Sequence, residues 1–176
     1  MTFELSGSHV MVDLETLGNG SRAVIVAIGA VRFNSQSVFS NTFYRLVDAE
    51  SCVRAGLKMD ASTVMWWLKQ SQAAREALCK PGVTLTQALT ELSAWYPHDA
   101  CLWGNGATFD NVILDNAYKA IKMSPPWQYY NHRCYRTVKA LFPLAATAFN
   151  GTAHNALDDA IHQAEHLITI AASTRA

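Results

Sequence analysis

Runs of apolar residues divide the first part of the chain into three predicted strands. Residues 9–15 run from His-Val-Met-Val into Asp-Leu-Glu, residues 23–33 are almost wholly apolar, and residues 38–46 alternate less regularly. A continuous apolar run of this length is typical of a strand that is covered on both faces. The Gly-Asn-Gly-Ser segment at 18–21 predicts a tight hairpin between the first two strands. The opening therefore predicts an antiparallel meander.

Apolar residues at helical spacing dominate the rest of the chain, with two further short strands predicted at 100–104 and 129–135. The other predicted helices cover about 64–68, 71–79, 85–95, 108–122 and 136–142, with candidate N-caps Asp60 or Ser62, Ser71, Thr84 and Thr108. The final helix has the clearest apolar stripe, formed by Leu157, Ala160, Ile161, Ala164, Leu167, Ile168 and Ala171. Strands interleaved with helices predict a single α/β domain that spans residues 1–176.

Composition narrows the class of protein. Half of the 176 residues are apolar and 16% are charged, as in a globular domain with a substantial core. No apolar run approaches the roughly 20 residues that span a bilayer, and residues 1–8 lack the pattern of a secretory signal. The four cysteines have no CxxC spacing, which favours reduced thiols in a cytoplasmic protein over a zinc site. The sequence therefore predicts a cytoplasmic protein without membrane association.

The net charge is zero, from 14 basic and 14 acidic residues. Neutrality argues weakly against nucleic acid, because nucleic-acid-binding proteins are usually basic. Two bound divalent cations would bring the formal charge to +4, so neutrality does not exclude a phosphate-bearing substrate.

Asp13 and Glu15 are the first candidates for chemistry. The two-residue period of a strand points both carboxylates to the same face. Two like charges side by side in a covered sheet are costly unless a cation lies between them, and carboxylates are the ligands of hard divalent metals. Solvated acids on a half-exposed strand are the alternative interpretation.

Three further acids lie near predicted helix starts. Asp110 follows Trp-Gly-Asn-Gly-Ala-Thr-Phe, just past a strand, where ligands bind in open α/β sheets; the helix dipole alone also favours an acid there. His154 precedes a helix that Asn155 is suited to cap and whose first turn holds Asp158 and Asp159. Asp158 has the position of a capping acid, and the helical pattern does not choose between these two acids.

Together, Asp13-x-Glu15, Asp110 at a helix start and His154-x4-Asp159 resemble the DEDDh branch of the 3′–5′ exonucleases. The chain is most similar to the ribonuclease T-like and phage-type members and to proofreading subunits. This resemblance covers nearly the whole chain, and it implies a ribonuclease H-like fold. In that fold a five-stranded mixed sheet, with three antiparallel strands and then two parallel ones, is flanked by helices. The family pattern selects Asp159 as the metal ligand and leaves Asp158 to the helix cap. Residues 130–150 match no motif of the family.

The resemblance also implies a mechanism. Two Mg²⁺ or Mn²⁺ ions about 3.5–4 Å apart act on the attacking and leaving oxygens of an in-line displacement. Asp13 is expected to bridge both ions, Glu15 and Asp159 to complete the first site, and Asp110 to support the second. A histidine changes protonation near neutral pH, so His154 suits the role of general base. The expected products are nucleoside 5′-monophosphates released from a 3′ end.

Several residues are candidates for substrate binding, each with a structural alternative. Relatives use the position of Thr16, Leu17 and Gly18 against the terminal nucleotide, although these residues also begin the predicted turn. The aromatic side chains that can stack on bases are Phe109, Trp66 and Trp67. The two tryptophans are adjacent on one predicted helix, so they cannot both face the core. Candidates for the phosphate backbone are Arg133, Arg136 and Lys139, or these form only a solvated basic face. A pair with zinc spacing, His162 and His166, has no evident third ligand and is expected at the surface.

The leading hypothesis is a metal-dependent 3′–5′ exonuclease that acts on single-stranded 3′ ends of DNA or RNA. One alternative is a catalytically inactive module that binds nucleic-acid 3′ ends. Another is a phosphodiesterase acting on very short oligonucleotides, for which few basic residues suffice. Some relatives form homodimers, so a homodimer of this chain is a further expectation.

Overall fold

A computed structural model describes residues 2–144, 148–152 and 154–175, which form a central sheet between two helical layers. The strands are β1 (His9–Thr16), β2 (Ile25–Phe33), β3 (Phe43–Leu46), β4 (Cys101–Gly104) and β5 (His132–Cys134). The helices are α1 (Ala49–Arg54), α2 (Ala61–Trp67), α3 (Gln72–Leu78), α4 (Leu85–Trp95), α5 (Val112–Ala120), α6 (Tyr135–Leu141) and α7 (Ala156–Ser173). A π-helical turn, Ala107–Asn111, precedes α5, and a short 3₁₀ turn, Tyr129–Asn131, precedes β5.

The sheet has the order β3-β2-β1-β4-β5. β1 and β3 each pair antiparallel with β2, whereas β4 pairs parallel with both β1 and β5. The antiparallel β1–β3 meander confirms the prediction from the strand pattern, and the two parallel strands that follow it confirm the arrangement that the family resemblance implies.

Each face of the sheet has its own core. Val10, Val12 and Leu14 alternate along β1 onto the face covered by α1, α4 and α5. Met11 lies on the opposite face, which α6 and α7 cover. The predicted stripe of α7 forms this second contact, with Ala160, Ala164, Leu167 and Ala171 fully buried. Because side chains alternate along a strand, Asp13 and Glu15 share the α7 face with Met11.

The predicted tight hairpin at 18–21 is wrong. Leu17 N donates to Val24 O (2.9 Å), so a wider loop closes between β1 and β2. Asn19 and Gly20 both lack the positive φ that the predicted turn type requires. Instead, Asn19 N donates to the carboxylate of Asp60 (2.7 Å) at the start of α2. A contact from 41 residues away therefore replaces the local turn.

Other predicted boundaries also need correction. The third strand contains only residues 43–46, and the last strand only residues 132–134. Thr108 does not cap a helix, because it lies inside the π-helical turn and α5 begins at Val112. Helix α1 was not predicted; Asp48 caps it by accepting from Glu50 N and Ser51 N.

Candidate active site

Asp13 and Glu15 lie at the carboxyl end of β1, beneath the start of α7. Glu15 is 8% exposed and Asp13 is half-buried, so both carboxylates are largely removed from water. Gly29 of β2 pairs with Asp13 across the antiparallel ladder. A Cβ at Gly29 would clash with the backbone of Ala156 and Leu157. The missing side chain therefore lets the first turn of α7 rest directly on the sheet.

This contact brings Asp159 to the strand carboxylates. One oxygen each of Asp13, Glu15 and Asp159 can be chosen so that all three lie within 4.8 Å of one another. Three carboxylate oxygens at this separation form a donor set of the kind that Mg²⁺ and Mn²⁺ prefer. We call these three residues the carboxylate cluster.

Burial and neighbouring charges raise the pKa values of the acids in the carboxylate cluster. Burial, followed by the charges of Asp110 and Glu15, raises the pKa of Asp13 well above its ordinary value. Burial and the charges of Asp159 and Asp110 raise the pKa of Glu15 to about 7. Burial also raises the pKa of Asp159. Raised carboxyl pKa values mean that the folded protein disfavours these negative charges together, and a bound cation would remove that penalty.

Asp110 approaches β1 from the edge that faces β4, carried by the π-helical turn. Its Oδ1 accepts a hydrogen bond from Leu14 N (3.3 Å), and its side chain is almost fully buried. Burial raises its pKa to about 7, against the opposing effect of backbone donors and of the Arg136 charge. A Cβ at Gly104 would lie 2.8 Å from Asp110 Cβ, so this glycine also permits the close approach. Asp110 stands beside the carboxylate cluster without sharing the 4.8 Å group.

Gln163 is a site residue that the sequence argument missed. Its Nε2 donates to Asp13 Oδ1 (2.8 Å), and the side chain is buried. Gln163 lies one helical turn after Asp159, so both side chains leave α7 on the same face. That spacing was a usable signal once Asp159 had been chosen as a ligand.

Asp158 and Asp159 have different surroundings. Asn155 caps α7 by accepting from Leu157 N and Asp158 N. The carboxylate of Asp158 turns back and accepts from Thr152 N (2.8 Å), which holds the preceding loop. Asp158 therefore fixes the approach to the helix, whereas Asp159 joins the carboxylate cluster.

His154 sits at the rim of the site, exposed and with φ of +62°. Its ring packs edge-on against Trp66 at 5.0 Å and against Trp67 at 6.0 Å between centroids. Trp67 is buried and donates from Nε1 to Thr16 O (2.9 Å), while Trp66 is 43% exposed. The two adjacent tryptophans thus divide between the protein interior and the surface.

A cavity of about 340 Å³ opens between the carboxylate cluster and α2. Glu15, Thr16, Trp66 and Phe109 line it together with Leu14, Asn19, Ser62, Thr63 and Trp67. Leu17 and Gly18 are not in its lining. Leu17 packs against the core, and Gly18 is covered by Lys58 and Asp60.

The three basic residues predicted to contact the phosphate backbone lie at separate positions around the start of α6. Arg136 is close enough to Asp110 to affect its pKa, and it donates to Asn105 O (2.8 Å). Arg133 lies on β5 and donates to the carbonyls of Tyr130 and His132. Lys139 Nζ stands 5.3 Å from the ring centroid of Tyr135.

The expected surface position of His166 is wrong. His166 is 1% exposed, with Nδ1 2.7 Å from the Tyr135 hydroxyl and Nε2 2.9 Å from Leu144 O. His162 is half-buried beside the ring of Phe149 at 5.3 Å. These partners explain both histidines as packing residues.

Comparison with known proteins gives concordant results. Residues 8–171 match the family described as the 3'-5' exoribonuclease Rv2179c-like domain. The exodeoxyribonuclease of Enterobacteria phage T4 is 23% identical over 188 aligned positions, which cover 85% of this chain and 82% of the phage protein.

Two solved structures share the fold. The nuclease domain of 3'hExo, a DEDDh family member bound to rAMP, superposes with a TM-score of 0.63 at 13% identity, covering 94% of this chain and 92% of that one. Cell-death related nuclease 4 gives a TM-score of 0.54 at 10% identity, covering 94% and 64%. The predicted ribonuclease H-like fold is confirmed. Among the described residues, no helix combines the length and apolar character needed to cross a membrane.

Proposed function

Because this chain belongs to the family of Rv2179c-like 3'-5' exoribonuclease domains, we propose that it hydrolyses single-stranded nucleic acid from the 3′ end in a metal-dependent reaction. The family assignment agrees with the DEDDh exonuclease motifs recognised in the sequence. The single observation that carries the proposal is the carboxylate cluster. Its buried carboxylates repel one another, and a bound cation would stabilise them.

The residues present fit a pair of divalent cations. Asp13, Glu15 and Asp159 offer three oxygens to one ion, and Asp110, close enough to raise the pKa of Asp13 and Glu15, would support a second. Bound Mg²⁺ or Mn²⁺ supplies Lewis-acid stabilisation of the phosphoryl oxygens and lowers the pKa of a bound water. Gln163 holds Asp13 through one oxygen and thereby fixes the direction of that carboxylate.

His154 is proposed as the general base that accepts the proton of the attacking water. Its ring is exposed at the rim, and it precedes α7 by only a few residues, so the base and Asp159 are carried by adjoining segments. The edge-on packing against Trp66 and Trp67 supports the imidazole at this rim.

The cavity beside Glu15 is proposed to hold the 3′-terminal nucleotide. Trp66 and Phe109 supply aromatic surface for a base, and stacking of this kind tolerates any base. Thr16 lies at the same wall, next to Glu15. Leu17 and Gly18 then act on the substrate only by shaping the loop that carries Thr16.

The test is a degradation assay with Mg²⁺ on single strands of DNA and of RNA, each labelled at the 3′ or the 5′ end. A 3′ label should be released at once as mononucleotide, whereas a 5′ label should pass through a ladder of shortened products. EDTA should abolish both reactions. Full turnover in excess chelator would contradict the metal-dependent mechanism.

The same assay separates the other functions considered. Tight binding of 3′ ends without any cleavage would support the inactive end-binding module. Cleavage of dinucleotides with no action on longer strands would support the short-oligonucleotide phosphodiesterase.

A further inference from the structure

Three side chains at four-residue spacing on α7 contact the segment that precedes this helix. Residues four apart are neighbours on a helix surface, so these side chains share one side of α7. They are Asp158, His162 and His166. Their partners follow in the reverse order along the chain and are Thr152, Phe149 and Leu144. The preceding segment is therefore attached to α7 at three points, and we call the three helix side chains the α7 clasp.

The end of the α7 clasp farthest from the carboxylate cluster is a buried, fully paired histidine. His166 Nε2 lies 2.9 Å from Leu144 O, and its Nδ1 lies 2.7 Å from the Tyr135 hydroxyl. Because a carbonyl oxygen only accepts, the ring proton is on Nε2 and the Tyr135 hydroxyl donates to Nδ1. Burial lowers the pKa of His166, so the ring is neutral at pH 7 and keeps this pairing. Leu144 is thereby attached through one ring to both α6 and α7.

The other end of the α7 clasp fixes the backbone beside His154. The Asp158 carboxylate accepts from Thr152 N (2.8 Å), and Thr152 O accepts from Asn155 N (3.1 Å). These two hydrogen bonds hold the chain on both sides of His154. This histidine has a φ of +62°, a conformation that costs free energy for residues with a side chain and persists where the surroundings impose it.

His154 adjoins both the carboxylate cluster and the cavity beside Glu15. Burial raises the pKa of Asp159, whereas the charge of His154 and a hydrogen bond from its backbone lower it, as expected for close neighbours. The His154 ring packs against Trp66, which lines the cavity. A general base works efficiently only when its ring is held within reach of the proton that it accepts.

We infer that the α7 clasp positions His154 for its role as general base, and this inference rests on the proposed function. Its three side chains are positioning residues, because they contact neighbouring segments and act on the reaction only through His154. Asp158 has the largest effect, since Thr152 is two residues from His154, whereas Leu144 is ten residues away. The acid that the family pattern leaves out of the metal site thus contributes to catalysis through a hydrogen bond.

A double-mutant cycle with His154→Ala tests the inference by measuring kcat and KM on single strands at saturating Mn²⁺. Asp158→Ala should lower kcat about ten- to hundredfold with little change in KM, because the base loses its position. In the His154→Ala background the same change should lower the remaining rate by less than about twofold, because no base is left to misplace. A merely structural role of Asp158 would instead lower the rate equally in both backgrounds.

Asp158→Asn is the matched variant. It removes the same charge from beside Asp159 but keeps an oxygen that can accept from Thr152 N, so it should restore the wild-type kcat. Titration with Mn²⁺ should give the same affinity for Asp158→Ala and Asp158→Asn, which shows an intact metal site in both. Glu165→Ala removes an equal charge from an exposed position of α7 and should leave kcat and KM unchanged.

The far end of the α7 clasp gives a second, independent pair of variants. His166→Gln keeps an N–H group that can donate to Leu144 O, whereas His166→Leu does not. His166→Leu should lower kcat less than Asp158→Ala does, and only while His154 is present. His166→Gln should recover most of that loss.

Equal losses of rate in both backgrounds would overturn the inference. So would a wild-type kcat in Asp158→Ala, or weaker Mn²⁺ binding by Asp158→Ala than by Asp158→Asn. Each of these results leaves the proposed exonuclease intact. In contrast, a full rate in His154→Ala contradicts the proposed general base and this inference with it, and a wild-type protein that releases no mononucleotide from any strand contradicts the proposed function itself.

Discussion

Replacing Glu15 by glutamine removes one negative charge from the carboxylate cluster and keeps the shape of the side chain. Burial and neighbouring charges raise the pKa of Glu15 from 4.5 to about 7 in the folded, metal-free protein. This difference corresponds to about 3 kcal/mol of free energy that opposes folding once Glu15 is ionised. The metal-free variant should therefore be more stable than the wild type at high pH.

The sign of the pH dependence follows from proton binding. Between pH 4.5 and about 7, folded Glu15 keeps a proton that the unfolded chain has released. The free energy of unfolding of the wild type therefore falls as pH rises through this window. Glutamine binds no proton, so its advantage should be below about 1 kcal/mol at pH 5 and about 3 kcal/mol at pH 8.

Denaturant unfolding in excess EDTA at pH 5 and pH 8 measures this difference. The lowered pKa values of His9 and His166 create a pH dependence of opposite sign, but it is common to both proteins and cancels in the comparison. In thermal melts the expected gain at pH 8 corresponds to about 6–12 °C for a chain of this size. Glu165→Gln, at an exposed position on α7, should stay within about 0.5 kcal/mol of the wild type at both pH values.

Adding Mn²⁺ at pH 8 should reverse the order of stability. A ligand at 1,000 times its Kd stabilises the folded state by about 4.1 kcal/mol, which exceeds the roughly 3 kcal/mol that separates the two proteins without metal, and the variant has lost one of the three clustered carboxylates. Equal stabilities of Glu15→Gln and wild type at pH 8 in EDTA would refute the electrostatic argument. An unchanged order with Mn²⁺ would refute the assignment of Glu15 as a metal ligand.

Three other predictions probe the site, two of them with a control variant. Asp159→Asn should abolish nearly all hydrolysis, whereas Asp158→Asn should keep the rate and lose at most about 1 kcal/mol of stability; a rate assay giving the opposite ranking would show that the motif is misassigned. Gly29→Ala should lower Mn²⁺ affinity in a titration and destabilise the fold by about 1–3 kcal/mol, because its Cβ would clash with the start of α7, while Gly20→Ala, with open space around it, should do neither. His154→Ala should leave Mn²⁺ affinity near wild type and reduce hydrolysis about 10²–10⁴-fold; a full rate would exclude it as general base.

Local patterns predicted the parts of the fold that local forces decide. The apolar run of β2 and the stripe of α7 bury the faces that the sequence indicated, because burial of apolar surface dominates both choices. The prediction of a tight turn at 18–21 is wrong because the Asp60 carboxylate accepts a hydrogen bond from the backbone N–H of Asn19. A turn pattern of four residues contains no information about a contact with so distant a residue. The predicted surface position of His166 is wrong for the same reason, since its hydrogen-bond partners Tyr135 and Leu144 lie on other segments of the chain.

The candidate site, too, was only partly predictable from local sequence patterns. Strand periodicity alone places Asp13 and Glu15 on one face, but it does not say what lies above them. The choice of Asp159 over Asp158 came from resemblance to a family, because both acids lie off the apolar stripe of α7. Gln163 was not predicted because nothing in the sequence distinguishes an uncharged helix residue as part of a site until its partner, here Asp13, is known.

Gly29 connects the fold to the chemistry. Packing of α7 against β1 and β2 is driven by apolar surface, yet it brings Asp159 onto two carboxylates that repel it. The core therefore holds these charges together at a cost in stability, and that cost appears as the raised pKa values of Asp13 and Glu15. A cation that binds between them relieves the same repulsion. The loss of stability at high pH without metal and the stabilisation by metal therefore depend on the same close approach of the carboxylates. Both of these effects should become smaller in Gly29→Ala, whose Cβ holds the start of α7 away from the sheet.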